Sequence, residues 1–262
     1  MYSEEHKLFL KKNRKIKTYI KISQIVFVIL CLVLWQLLAD LNLINTFILS
    51  SPKLILKSIM KMINNNLYTH IRITLYETLL SFILGTIIGI FVSAILWWNK
   101  ILNKFIDPFL TILNSLPKVA LGPILIIWIG ANIKSIIFMA LLISIFTTII
   151  TVLQSFNDTD KNMVKLLVSL GSSKLQIFKY LILPYNYKTI ISSLKVNISM
   201  SLVGVIMGEM LVSKEGLGYL IVYGSQIFNL TLVMASILIL SLISAFLYYI
   251  LLYVEKKIIK NI

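Results

Sequence analysis

The chain has 262 residues, 58% of them hydrophobic and 13% charged, with a formal net charge of +15. A water-soluble domain averages roughly 45–50% apolar and about 25% charged residues, so most of this chain needs a solvent other than water. Its 25 Lys and Arg residues sit in short segments between apolar runs and form no basic face with interleaved aromatics, which excludes a nucleic-acid partner.

Apolar runs of about 20 residues must be helical in hydrocarbon, where every backbone N–H and C=O needs an internal partner. The first run, 22–41, follows a basic stretch of Lys7, Lys11, Lys12, Arg14, Lys15, Lys17 and Lys21. It passes through Trp35 without a small-x-small cleavage site and reads as a retained first helix. Cys31, the only cysteine, lies in it, so no intrachain disulfide or cysteine zinc site is available and a small buried hydrophobe is expected. In the connection that follows, Ser50-Ser51-Pro52 precedes Leu54, Ile55, Ile59, Met62 and Ile63, which predicts a short amphipathic helix at the membrane interface with Pro52 in its first turn. Five further runs cover 75–98, 109–129, 135–155, 189–212 and 230–253. Six spans put both termini on one side. If that side is inside, 17 cations lie in inner segments, six in outer ones and two (Lys118 and Lys195) within spans. The positive-inside rule then places both termini in the cytoplasm.

The inner connection 157–187 is a helix–turn–helix too polar to cross a bilayer. Asn157, Asp158, Thr159 and Asp160 supply capping groups and negative charge at a helix start. Met163, Leu166, Leu167 and Leu170 follow at one-face spacing, with Lys161 and Lys165 off that stripe. Gly171 ends the helix, because glycine takes the left-handed conformation at little cost. A second amphipathic piece carries Leu175, Phe178, Leu181 and Ile182, and Leu183-Pro184 is expected to stop it. Such a pair fits either a headgroup layer or a docking site on a partner protein.

The stretch Lys165-Leu166-Leu167, Gly171, then Leu181-Ile182-Leu183-Pro184 resembles the cytoplasmic loop motif of binding-protein-dependent ABC importer permeases. That motif reads Glu-Ala-Ala, three residues, Gly, nine residues, Ile, one residue, Leu-Pro. The spacing is met without a gap, although Lys165 stands for the acid, Leu166 and Leu167 for the alanines and Leu181 for the Ile. Residues 116–123 (Leu-Pro-Lys-Val-Ala-Leu-Gly-Pro), Trp128-Ile129-Gly130, Gly208-Glu209-Met210 and Gly216-Leu217-Gly218-Tyr219 extend the likeness toward the nitrate/sulfonate/taurine branch. Ser51-Pro52 and the run from Leu67 through His70 add to it, whereas the arginine usual in that branch near Glu77 is missing. The resemblance implies an all-α membrane bundle of about six helices, with 1–66 as basic N-terminus, first helix and outer segment, 67–251 as transport domain and 252–262 as basic tail. It implies two ATPase subunits docked on a coupling loop that includes Asp160, a second permease copy forming a homodimer, and an extracytoplasmic substrate-binding protein. Nitrate, sulfonates, taurine and vitamin precursors are the implied substrates.

Inside the spans, Glu209 is expected either to line the translocation path, to pair with Lys195 or Lys118, or to sit hydrated near the outer interface beside Glu215. Pro117 and Pro123 interrupt the third span. Pro117 and Lys118, beside Asn114 and Ser115, mark either a translocation path or a cytoplasmic approach to a span starting near Val119, and the second is preferred. Gly85, Gly89, Gly204 and Gly208 form two pairs at four-residue spacing, which predicts close helix packing. His6 and His70 lie outside the spans and far apart, and no metal or cofactor is expected. The chain has no Walker loop, HExxH or Gly-x-Ser-x-Gly pattern, so energy for a pump must come from another subunit. The rival reading is an ion-gradient-driven secondary transporter, which calls for several intramembrane ionisable residues and repeated halves.

Overall fold

The computed structural model describes residues 4–260. The side chains of His6, Lys7, Lys11, Arg14, Lys17 and Lys260 lie outside the described ones. The chain forms α1 (Glu4–Asp40), α2 (Thr46–Leu49), α3 (Pro52–Asn64), α4 (Leu67–Trp98) and α5 (Lys100–Ser115). A 3-10 turn (Lys118–Leu121) leads into α6 (Gly122–Ile129), then α7 (Ile133–Asn157), α8 (Lys161–Ser169) and α9 (Lys174–Ile177). A π-helical turn (Phe178–Ile182) continues as α10 (Leu183–Val212), followed by α11 (Leu217–Gln226) and α12 (Leu230–Lys260). No strand occurs among the described residues.

Three of the long helices make the centre of the bundle. Gly85 of α4 faces the Ser144 hydroxyl of α7, Gly89 faces Thr148, and Ser93 Oγ donates to the Ile149 carbonyl at 3.0 Å. These pairs advance together, so α4 and α7 run parallel. Gly204 and Gly208 of α10 lie against the backbones of Ala140 and Ile136, which makes α10 antiparallel to α7. Without water to drive apolar surfaces together, helices in hydrocarbon gain from backbone proximity and interhelical polar contacts, and small residues permit both.

Because α4 and α7 are parallel, the chain between them must return across the membrane. It does so as a broken span: Lys100–Ser115 and Lys118–Ile129 meet at an angle of 84°. Leu110 packs with Leu96, Ile149 and Leu153, while Lys118 Nζ donates to the Ile143 carbonyl at 3.4 Å. The chain therefore climbs obliquely from the end of α7 to its middle before breaking. This corrects the preferred sequence reading of Pro117: the break lies at mid-depth, not at a cytoplasmic approach. Two side-chain bonds brace the approach to the break, the Ser115 hydroxyl donating to the Thr111 carbonyl at 2.9 Å and Lys118 Nζ to Asn114 Oδ1 at 3.0 Å.

Other expectations shift as well. Helix α1 begins at Glu4, so the basic stretch is helical, and only 6% of its apolar window is buried. Cys31 is accordingly exposed rather than buried, because α1 stands off the bundle and touches it chiefly through α3. Ser51 caps α3 and Pro52 occupies its first turn, but Ile55 and Met62 pack into a core with Leu67, Leu217, Leu220 and Ile239. The predicted amphipathic helix thus rests on protein. Helix α4 starts eight residues before its predicted span, and α12 runs through residue 260 without a break at 252.

Gly204 is the tightest of these contacts, since a Cβ there would overlap the Ala140 backbone. Gly204→Val is expected to lower stability by about 1–3 kcal/mol by overpacking, read as a drop in the thermal midpoint of the detergent-purified protein. Gly171→Ala, where a Cβ meets nothing within 4 Å, should show no packing penalty in the same assay, only the roughly 1–2 kcal/mol cost of a left-handed residue.

Candidate functional site

The loop 158–184 closes off one end of the bundle. Asp160 caps α8 by accepting from Asn162 N at 2.8 Å. Gly171 sits at φ +78°, and the bonds Ser172 N→Leu167 O and Gly171 N→Val168 O, both 3.0 Å, complete a Schellman ending. Ser173 and Gln176 form a reciprocal capping box that starts α9 at once. Leu183-Pro184 does not stop this piece as the sequence suggested. Leu183 N reaches back five residues to Phe178 O, and this wider turn absorbs the missing proline N–H, so the helix runs on into α10.

The loop is bolted to the helices it joins. Phe156, Val152, Ile177 and Ile182 make a buried cluster, with Val164, Leu167, Leu181 and Leu183 packed against it. Asn186 Nδ2 donates to Thr159 Oγ1 at 2.7 Å, tying the start of α10 to the end of α7. Lys174 Nζ donates to the Trp98 carbonyl and lies over the Trp97 and Trp98 rings. The predicted apolar stripe of α8 splits: Leu167 turns inward, whereas Met163, Leu166 and Leu170 are 46, 60 and 72% exposed. Lys165 is exposed beside them. Asn186 escaped sequence reading because its partner lies 27 residues away.

At the opposite end, Glu209 is buried, with 1% of its surface exposed. Its carboxylate accepts from Thr74 Oγ1 at 2.6 Å and from Gly218 N at 2.6 Å. Thr74 Oγ1 also accepts from Leu217 N at 3.0 Å, and His70 Nδ1 accepts from Gly216 N at 3.0 Å while its ring stacks on Tyr219. Gly216, at φ +102°, and Gly218 are both pressed against the Glu209 side chain, leaving no room for a Cβ. The group thus fastens the α10–α11 turn to α4 and lines no open channel in this structure. Neither expected lysine pairs with it: Lys195 bonds Glu255 at 2.8 Å, and Lys118 bonds Asn114 and Ile143 and lies 5.5 Å from the Phe146 ring centre. Glu77, 2% exposed and adjoining Glu209, was missed as part of this group. Its signal was available, since it is the single acid within α4. Among the described residues no group of three or more His, Cys, Asp or Glu side chains is arranged to hold a metal.

Between these ends, Glu77 Oε2, Ser81 Oγ, Asn197 Oδ1 and Ser201 Oγ are buried without a hydrogen-bond partner. All four lie on the seam of α4 and α10, which the Asn197 Nδ2→Thr86 Oγ1 bond (2.7 Å) and the Thr74–Glu209 bond place in register.

A family model described as binding-protein-dependent transport system inner membrane component matches residues 85–260. The chain belongs to this family. As an ABC importer permease it is similar to the formylaminopyrimidine transport permease protein ThiX of Halalkalibacterium halodurans, 26% identical over 78% of this chain and 81% of that one. It is also similar to the riboflavin transport system permease protein RibX of Chloroflexus aurantiacus (25%; 85% and 84% covered). The taurine transport system permease protein TauC of Escherichia coli is 21% identical, with 81% and 80% covered. The fold is that of a permease chain in inward-facing crystals of the MetNI methionine ABC transporter, with a TM-score of 0.63 at 17% identity, covering 74% of this chain and 95% of that one. The protein is therefore a non-catalytic, multi-pass transport subunit of the cell membrane, and the secondary-transporter reading falls away.

Thr74→Val keeps the side-chain shape but removes the donor to Glu209 and the acceptor for Leu217 N. We expect it to cost roughly 1–3 kcal/mol, read as earlier unfolding in a denaturant or thermal series. Lys57→Met, exposed on α3 and outside this group, should leave stability within about 0.5 kcal/mol.

Proposed function

We propose that the loop 158–184 is the cytoplasmic coupling element through which a pair of ATPase subunits drives a homodimer of this permease, with both termini in the cytoplasm. The observation that carries this reading is the division of labour in α8. Leu167 and Val164 join the buried cluster at the ends of α7 and α10, while Met163, Leu166 and Leu170 project outward uncovered. A surface that is apolar, exposed and stiffly attached to two membrane helices suits a docking partner better than a headgroup layer. Closure of the ATPase dimer would be passed as a rigid-body displacement to α7 and α10. The positive-inside balance supports the orientation.

The substrate is a small solute delivered by an extracytoplasmic binding protein, drawn from the classes that the relatives' names describe: sulfonate-like anions or heterocyclic vitamin precursors. The path runs beside the Pro117 break, where Asn114, Lys118 and Thr147 present polar groups at mid-depth. Lys118 there offers a positive charge to an anionic cargo. Glu209 serves the path indirectly, by holding its outer rim closed. The unsatisfied α4–α10 seam supports such a gate, because buried polar atoms without partners lower the cost of parting the helices.

The test is uptake in vesicles carrying the permease with its ATPase and binding protein. Gly171→Pro cannot adopt φ +78° and is expected to reduce ATP-driven uptake to background while membrane insertion is retained. Leu166→Cys is expected to form a cross-link to the ATPase. Normal uptake by the first variant, or labelling of the second from outside the cell, would refute the assignment.

A further inference from the structure

A cavity of about 600 Å³ opens between the loop and the bundle, on the side of α8 that faces away from the Met163–Leu166–Leu170 stripe. Four lysines line it: Lys100 at the start of α5, Lys161 and Lys165 on α8, and Lys174 on α9. No acidic side chain does. Asp158 and Asp160 are neighbours of lining residues in sequence but do not line the cavity, and the one ion pair among the described residues, Lys195–Glu255, lies elsewhere. Trp97 and Phe156 give the cavity an apolar wall. Four like charges gathered around one hollow repel one another unless an anion neutralises them.

We propose that this cavity binds the phosphate of an anionic membrane lipid. Three observations select a lipid over a soluble anion or a protein carboxylate. Trp97 lines it and the exposed Trp98 ring lies beside the Lys174 ammonium, the kind of ring found at the headgroup level of a bilayer. Helix α5 leaves the cavity with Ile101, Phe105 and Phe109 exposed, a track along which an acyl chain can lie while its headgroup reaches Lys100. The residues of α8 that line the hollow (Lys161, Val164, Lys165 and Val168) form a different stripe from the uncovered Met163, Leu166 and Leu170. A lipid can therefore occupy the cavity with the outer stripe docked or free, and the site stands whether or not an ATPase binds there. Basic hollows between membrane helices recognise anionic headgroups on these terms. Bound lipid would brace the loop against α4, α5 and α7 and so set how firmly the loop is held to the bundle.

The experiment uses the full chain in nanodiscs of phosphatidylglycerol or phosphatidylcholine, with retained lipid counted by native mass spectrometry. The wild-type protein is expected to retain phosphatidylglycerol over phosphatidylcholine by on the order of tenfold or more, given the gain each lysine near a membrane surface contributes. The double variant Lys100→Gln/Lys161→Gln should lose that preference, and Lys12→Gln/Lys15→Gln, on the exposed α1, should keep it. Equal retention of the two lipids by the wild-type protein overturns the proposal, and this comparison stands even if the double variant does not fold. A preference that survives in the double variant also overturns it. Displacement of the lipid by excess inorganic phosphate would mark a soluble-anion site instead, and loss of the preference on binding the ATPase would assign the lysines to that protein contact.

Discussion

Helices dissolved in hydrocarbon gain nothing by hiding apolar surface from one another, so α4, α7 and α10 hold together only as far as their backbones can meet. Gly204 against Ala140, Gly208 against Ile136, and Gly85 and Gly89 against Ser144 and Thr148 set that distance. The rest of the molecule is arranged around this contact. It fixes α4 and α7 as parallel, which forces the return span, and it brings Thr74, Thr159 and Asn197 within reach of Glu209, Asn186 and Thr86. The hydroxyls and amides on the same seam then decide register, which shape alone leaves loose.

The two ends of the bundle are closed by different chemistry. At the loop end, aromatic and aliphatic packing around Phe156 and Ile182 is reinforced by one amide clamp at Asn186. At the other, a carboxylate gathers backbone N–H and hydroxyl donors from α4 and the α10–α11 turn, and the glycines at 216 and 218 exist to let it do so. The first is a broad contact that resists shear. The second is a small set of directional bonds that can break together.

What was legible in the sequence was local. Apolar runs gave the spans, Ser51-Pro52 gave the start of α3, and the Asp160 and Gly171 signals bounded α8. Each rests on a few neighbouring residues whose backbone preferences need no tertiary context. Most of the misreadings concern what a residue faces. Nothing near Pro117 tells that its neighbour Lys118 meets the middle of α7, because that depth depends on the tilt of α5. Cys31 reads as a core residue from its apolar neighbours, but α1 reaches the core only farther on, through Trp35. Glu209 could be seen as an expensive charge, but its partners sit 135 residues earlier and nine residues later, across a turn whose geometry only Gly216 hinted at. Pro184 looked like a stop because a π-turn, which restores the ladder around it, has no simple local signature.

That turn has a mechanical consequence. From Lys174 to Val212 the chain is one uninterrupted rod of 39 residues, about 58 Å long at 1.5 Å per residue. Its near end belongs to the loop and its far end carries Glu209. Tilting such a rod by about 5° swings one tip by roughly 5 Å relative to the other, more than the length of any hydrogen bond that secures it. In a rod of this length a small tilt is multiplied into a tip displacement larger than the bonds holding that tip, without any intervening side chain having to relay the motion.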